Sequence, residues 1–193
     1  MKLLEQRIQK DGVVLPGDVL KVGSFLNQQI DASLAYEMGA DFARHFSARG
    51  VTKVLTIESS GIALAVMTAY HLGCNMVFAK KNVSSNMSGE YYTAKVYSYT
   101  KHQECNIVVA KSYLTADDKV LILDDFLATG NALDGLISLT EQSGATLIGC
   151  GVAIEKWYQG GGDSVRKRGI EVYSQAMVES MNDNKVVFRT QAD

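Results

Sequence analysis

The chain has 193 residues, 47% hydrophobic and 21% charged, with a formal net charge of −2. This suits one domain with a sizeable core. The missing basic excess speaks against nucleic-acid binding, and no apolar run is long enough to span a bilayer. Residues 1–7 mix charges without the apolar centre of a signal peptide, so the expected setting is cytoplasmic.

In chain order, residues 2–10 read as a short amphipathic helix, followed by an extended, turn-containing stretch from Val13 to Leu26 that holds the only proline, Pro16. Residues 31–48 have helical periodicity, with Leu34, Met38, Phe42 and Phe46 on one face, Asp31 or Ser33 as cap and Gly50 as stop. Val51 to Ile57 reads as the first core strand, Glu58 to Gly61 as a turn, 62–72 as a helix ending at Gly73, and Asn75 to Ala79 as the next strand. Residues 81–94 are polar and small, without an apolar period, and read as a long loop. Strands are expected over 95–99, 106–110 and 119–124, a helix over 130–143, a strand from Thr146 to Glu155, a short helix over 163–168, and strands over 171–176 and 185–189. Strand–helix alternation at this spacing predicts an α/β fold with a doubly wound, mainly parallel sheet in a single domain, 1–193. Cys74, Cys105 and Cys150 form no Cys-x-x-Cys pair and read as buried reduced thiols. His45, His71 and His102 are scattered; the first two fall in helical patterns and read as packing or surface residues.

The segment richest in chemistry runs from Val120 to Ala132. Four apolar residues, Val120 to Leu123, lead into Asp124 and Asp125, and a loop of small residues, Ala128-Thr129-Gly130-Asn131-Ala132, opens the next helix. Ligands in open α/β sheets sit beyond the carboxyl ends of the strands. Ionised carboxylates accept hydrogen bonds, which suits vicinal hydroxyls, and free amides at a helix N-terminus bind phosphate. Thr129 can cap the helix, and Gly130 allows close backbone approach. The acid pair by itself is also compatible with a Mg²⁺ site, a phospho-acceptor site or a solvated corner. Glu58-Ser59-Ser60-Gly61 is a second strand-to-helix turn of small residues with amides free for an anion, or an ordinary turn that binds nothing. Lys80 and Lys81 stand at the root of the long loop, able to neutralise an anion or simply solvated. Neither a G-x-x-x-x-G-K-[ST] loop nor a complete dinucleotide turn is present, and Gly149-Cys150-Gly151 reads as glycines within a strand.

The Val120–Ala132 segment resembles the signature for 5-phosphoribosyl-1-pyrophosphate in type I phosphoribosyltransferases. The resemblance implies that fold, with a hood over the base formed by roughly 1–30 plus 155–193 and a flexible lid over roughly 81–94. It places the ribose hydroxyls on Asp124 and Asp125 and the 5-phosphate on Ala128, Thr129, Gly130, Asn131 and Ala132. It assigns the pyrophosphate to Ser59, Ser60 and Gly61, with Lys80 and Lys81 as countercharges. A non-proline cis peptide, frequent in the family's matching turn, is expected at Ser59-Ser60. Mg²⁺ is expected as a substrate-bound cofactor, with no direct protein ligand. Over essentially its full length the chain is similar to the bacterial subgroup that takes xanthine, which assigns the base to Leu20, Asn27 and Lys156 and implies a homodimer. Lys156 can donate to a 6-oxo oxygen and disfavours adenine, and Trp157 or Tyr158 offers a stacking ring. Phosphoribosyltransferases for other bases, a donor-sensing regulator of transcription and a diphosphokinase-like enzyme are the rival readings. The second lacks a visible basic recognition helix and the third an evident ATP site.

Overall fold

The computed structural model describes residues 1–81, 89–98, 103–182 and 185–189. Helix α1 (Lys2–Asp11) precedes a short antiparallel hairpin, β1 (Val13–Leu15) and β2 (Val19–Lys21), and a π-helical turn at Gly23–Asn27. Helix α2 (Ala32–Phe46) follows, capped by Asp31, whose carboxylate accepts from the Leu34 amide at 3.1 Å. The alternating unit then runs β3 (Lys53–Ile57), α3 (Gly61–Leu72), β4 (Asn75–Ala79). A separate hairpin, β5 (Tyr91–Ser98) and β6 (Gln103–Ala110), leads to β7 (Lys119–Leu127), α4 (Asn131–Ser143), β8 (Thr146–Lys156), α5 (Gly161–Arg166), β9 (Val172–Asn182) and β10 (Lys185–Phe188).

The main sheet has the order β10-β9-β8-β7-β3-β4. All neighbours are parallel except the terminal β10–β9 pair. From β3 the chain winds outward to β4, whereas from β7 it winds the opposite way through β8 to β9, so the order reverses between β3 and β7. A doubly wound sheet opens a crevice at such a reversal, beyond the carboxyl ends of the two strands.

Strand β7 shows why both faces must be covered. Val120 and Ile122 pack with Leu133, Leu136 and Ile137 of α4 and with Val96 and Ile107 of the hairpin. Leu121 and Leu123 pack with Phe42 and Phe46 of α2 and Ala65 and Ala69 of α3. The apolar stripe expected on the helix over 31–48 is wholly buried: Leu34 is 6% exposed, and Met38, Phe42 and Phe46 are 0%. A third cluster joins Leu4 and Ile8 of α1 and Leu20, Val22, Phe25 and Leu26 to Ile154, Ala176 and Val178, so the N-terminal segment sits on the β8–β9 part of the sheet. Arg7 ties α1 to the next helix's cap by an ion pair with Asp31 at 2.9 Å.

Several boundaries differ from expectation. Of the loop expected over 81–94, residues 82–88 lie outside the described residues, and Tyr91 to Ala94 belong to β5, in register with Ala110 to Ile107. Ala94 and Val96 are buried and Tyr92 packs behind them, an inward alternation that the intervening polar Thr93 and Lys95 disguise in the sequence. Strand β7 continues through Leu127, three residues beyond the expected 119–124, so Asp125 lies within it together with Asp124. The cis peptide lies at Glu58-Ser59 instead of Ser59-Ser60; Ser60 already has helical dihedrals, φ −67° and ψ −34°. His102 lies outside the described residues, whereas His45 stacks on Tyr173 with ring centres 4.0 Å apart and His71 meets the Tyr36 ring at 4.5 Å. All three cysteines are free, and burial pushes the Cys150 thiol up to about 12. No helix among the described residues is long and apolar enough to cross a membrane.

Candidate active site

A cavity of about 260 Å³ occupies the reversal point. Its floor is the carboxyl end of β7 with the Asp124–Asp125 pair, and one rim is the loop Ala128 to Ala132 at the start of α4. Opposite stand Ile57, Glu58, Ser60 and Lys81 from the β3 side, and Val96, Tyr97 and Cys105 of the hairpin form the remaining wall. A strand-end acid pair, a loop of backbone amides and a second small-residue turn therefore share one space.

The local reason for the phosphate-type loop is Gly130. It occupies the N-cap of α4 at φ +94°, a left-handed conformation that other residues rarely adopt. Thr129 does not cap this helix; its hydroxyl accepts from Asn131 Nδ2 at 3.0 Å, which stiffens the loop from within. Amides at the start of the 13-residue α4 consequently remain available to an anion.

The carboxylates are unequal. Asp124 is 5% exposed, and its Oδ1 accepts from the Asp125 amide at 2.9 Å. Burial, and then repulsion from Asp125, pushes its carboxyl well above the usual carboxylate range, with Lys81 acting in the other direction. Burial also raises Asp125, opposed by hydrogen bonds from Asp124 and from the Asn27 side chain. Two carboxyls buried this close together hold their protons more tightly than free aspartates, Asp124 most of all.

The second turn approaches the same acids. Gly61 begins α3, where a Cβ would lie 2.1 Å from Thr56 Oγ1 and 3.6 Å from Asp124 Oδ1. Thr56 is branched and fully buried, so it cannot swing aside. Gly61→Ala is expected to destabilise the protein by roughly 1–3 kcal/mol through overpacking and to disturb Asp124; thermal unfolding and donor binding measure the two effects. Ser59, one residue before Ser60, is exposed and does not line the cavity.

Lys80 and Lys81 diverge. The Lys81 amide donates to Glu58 Oε1 at 2.7 Å, and Lys81 faces the acid pair. Lys80 bridges to Val108 and instead lines a groove outside edge strand β4 with Lys53, Phe78, Tyr91 and Tyr113. Neighbours in extended chain point to opposite sides.

The residues assigned to the base lie along the junction of the N-terminal segment and β8. Leu20 is buried in the N-terminal cluster. Asn27 ends the π-helical turn and donates to Asp125, which joins this region to the acid pair. Lys156 ends β8, its Nζ donating to the Asp18 carbonyl at 2.6 Å, and burial lowers its pKa. The Trp157 ring lies under the guanidinium groups of Arg189 and Arg166, at 4.4 and 5.4 Å, and is engaged by them rather than free as a platform. Tyr97 and Cys105 had no sequence signal, because only hairpin pairing brings them to the cavity. Among the described residues, no group of three or more His, Cys, Asp or Glu side chains is placed to hold a metal ion.

Comparison with known proteins agrees with this layout. The family described as phosphoribosyl transferase domain matches residues 29–186. A protein named xanthine phosphoribosyltransferase from Bifidobacterium longum subsp. infantis is 53% identical over 192 residues, covering 98% of this chain and 100% of the relative. One of the same name from Lactobacillus delbrueckii subsp. bulgaricus is 52% identical over 188 residues, covering 97% and 100%. The crystal structure of adenine phosphoribosyltransferase from Rhodothermus marinus has a similar fold, with TM-score 0.71 at 24% identity, covering 92% of this chain and 100% of that one. That of the Trypanosoma brucei adenine enzyme has TM-score 0.74 at 19% identity, covering 90% and 79%. With an acid pair and a phosphate-type loop at the reversal of a doubly wound sheet, and a family match across most of its length, this chain belongs to the phosphoribosyl transferase family, with the type I fold.

Proposed function

We propose that the protein transfers the 5-phosphoribosyl group of phosphoribosyl pyrophosphate to xanthine, yielding xanthosine 5′-monophosphate and pyrophosphate in purine salvage. The observation that carries this reading is the shared cavity of Asp124, Asp125 and the Ala128–Ala132 loop, with Lys156 one strand away; near full-length relatives named for xanthine support the choice of base. The loop amides hold the 5-phosphate, and Asp124 and Asp125 accept from the ribose hydroxyls. Ser60, where the second turn meets the cavity, receives the pyrophosphate together with Lys81. As the C–O bond to pyrophosphate breaks and the C–N bond forms, positive charge develops on the sugar ring, and two preorganised carboxylates beneath it favour that charge. No covalent nucleophile is required.

Mg²⁺ would be held by the oxygens of the substrate's pyrophosphate and ribose hydroxyls, with no direct protein ligand, as suits an ion that keeps to phosphates rather than a protein cage. When bound, it neutralises the leaving pyrophosphate. A homodimer is the proposed assembly, and Tyr36 and Tyr70, 45% and 70% exposed on α2 and α3, offer apolar surface for it. The proposed location is the cytoplasm, where purine nucleotides are used.

An ultraviolet assay with Mg²⁺ and the donor, offering xanthine, guanine, hypoxanthine and adenine in parallel, tests the reading. A clear preference for xanthine is expected. Preference for another 6-oxopurine would keep the chemistry and overturn the base, and no turnover with retained donor binding would favour the donor-sensing regulator.

A further inference from the structure

Immediately before Lys156 lies a buried ion pair that the chemistry above does not use. Glu155 is 1% exposed, and its two oxygens accept from Arg166 Nη1 at 2.8 Å and Nη2 at 2.7 Å. Oε2 also accepts from the Ser174 hydroxyl, and Arg166 Nη2 reaches the Val172 carbonyl at 3.2 Å. Such a two-pronged pair fixes orientation as well as charge.

The surroundings connect this pair to the phosphate loop. In the β7–β8 ladder Glu155 pairs with Leu127, the residue before Ala128. Helix α5 opens with two glycines that press in different directions. A Cβ on Gly162 would fall 1.9 Å from Glu155 Oε1. A Cβ on Gly161 would fall 2.4 Å from the Ala128 carbonyl oxygen and 2.6 Å from the Gly130 nitrogen, and the Gly161 amide donates to that carbonyl at 3.1 Å. Contact is therefore continuous from Arg166 through Glu155 and the glycine pair to the loop. In the other direction Glu155 adjoins Lys156, and Arg166 also reaches the Trp157 ring.

We propose that Glu155 and Arg166 are a positioning pair that sets the phosphate loop and the strand end carrying Lys156 at one fixed separation. They hold α5 so that Gly161 supports the loop, and Glu155 anchors the end of β8. The donor and acceptor subsites then keep the geometry that lets the base nitrogen meet the anomeric carbon. The base half of this inference rests on the phosphoribosyl-transfer reading; the loop half does not.

The test uses the full chain, with calorimetric binding of ribose 5-phosphate beside steady-state kinetics on both substrates. Arg166→Lys keeps the charge without the fork. The double variant Glu155→Gln/Arg166→Met removes both charges at similar volume, a replacement that cores often tolerate. In both, the ribose 5-phosphate Kd and the donor and base KM values are expected to rise roughly tenfold or more, because small misplacements of reacting groups carry large penalties. Gly161→Ala leaves the pair intact, pushes a methyl group onto the loop, and is expected to raise the ribose 5-phosphate Kd and donor KM with the base KM unchanged. This variant decides the loop half if the ion-pair variants do not fold. A pair that only stabilises the fold would lower the melting temperature and leave Kd and both KM values at wild-type levels, which overturns the proposal. An unchanged ribose 5-phosphate Kd in Gly161→Ala overturns it as well. If the wild type turns over no base, the transfer reading fails, while the calorimetric comparison still decides the loop half.

Discussion

Replacing Asp125 with Asn is expected to lower turnover by about 10²–10³-fold, the scale seen when one preorganised electrostatic group is removed. The substitution keeps size and shape, so the ladder around residues 124–127 should persist and the loss should fall on kcat. Asp125 is the partner whose ionisation is more favoured, helped by the Asn27 side chain, whereas burial and repulsion raise the Asp124 carboxyl further. The same asymmetry predicts that Asp124→Asn slows turnover yet raises stability at neutral pH by about 1 kcal/mol, as replacements that relieve functional strain commonly do. The sign follows from linkage. A carboxyl whose folded pKa lies above its unfolded value binds its proton more tightly when folded, so its ionised form destabilises the fold at neutral pH. That penalty fades as the pH falls through the folded pKa. The role proposed for the pair has the opposite need, since only ionised carboxylates serve purely as acceptors for the ribose hydroxyls. The acid limb of kcat/KM for the donor should therefore lie above the ordinary aspartate value of about 3.9 and shift in Asp124→Asn. Near-normal turnover by Asp125→Asn would remove the pair from the mechanism.

Lys156→Gln should chiefly change which base is used. Losing a charged donor to a 6-oxo oxygen corresponds to roughly 1.5–3 kcal/mol, or about 10–100-fold in the xanthine KM at 1.4 kcal/mol per decade, and discrimination against adenine should shrink with it. The donor KM should change little, because Lys156 is not among the residues lining the acid-pair cavity. Burial lowers the Lys156 pKa, so the ammonium loses its proton below the usual lysine range. Base kcat/KM in the wild type should then decline on the alkaline side, and the part of that decline due to Lys156 should disappear in Lys156→Gln. Unchanged selectivity across the four bases would move base recognition elsewhere, with Asn27 the next residue to replace.

Much of the site was legible because its parts are contiguous. Val120 to Ala132 holds a strand, an acid pair, a left-handed glycine and a helix start within thirteen residues, and each is set by local propensities and backbone sterics. The same holds for the turn into α3 and for the buried stripe of α2, whose 3.6-residue period survives in the sequence. Features that depend on which strands become neighbours were not legible. Tyr91 to Ala94 looked like loop because their strand character comes from pairing with β6. Lys80 and Lys81 looked equivalent until the end of β4 directed one into the cavity and the other to the sheet edge. Glu155 carries no signal in the sequence beyond ending a strand; its burial, its pairing with Arg166 and the glycine contacts that carry it to the Ala128–Ala132 loop arise from packing α5 on β8 and β9. The raised Asp124 pKa has the same origin, since one sequence neighbour supplies the repulsion but the surrounding fold supplies the larger cause, exclusion of water. Sequence by itself determined the chemical groups and their local frames; tertiary structure decided their separations, exposure and protonation, because those depend on contacts between segments that can be more than a hundred residues apart.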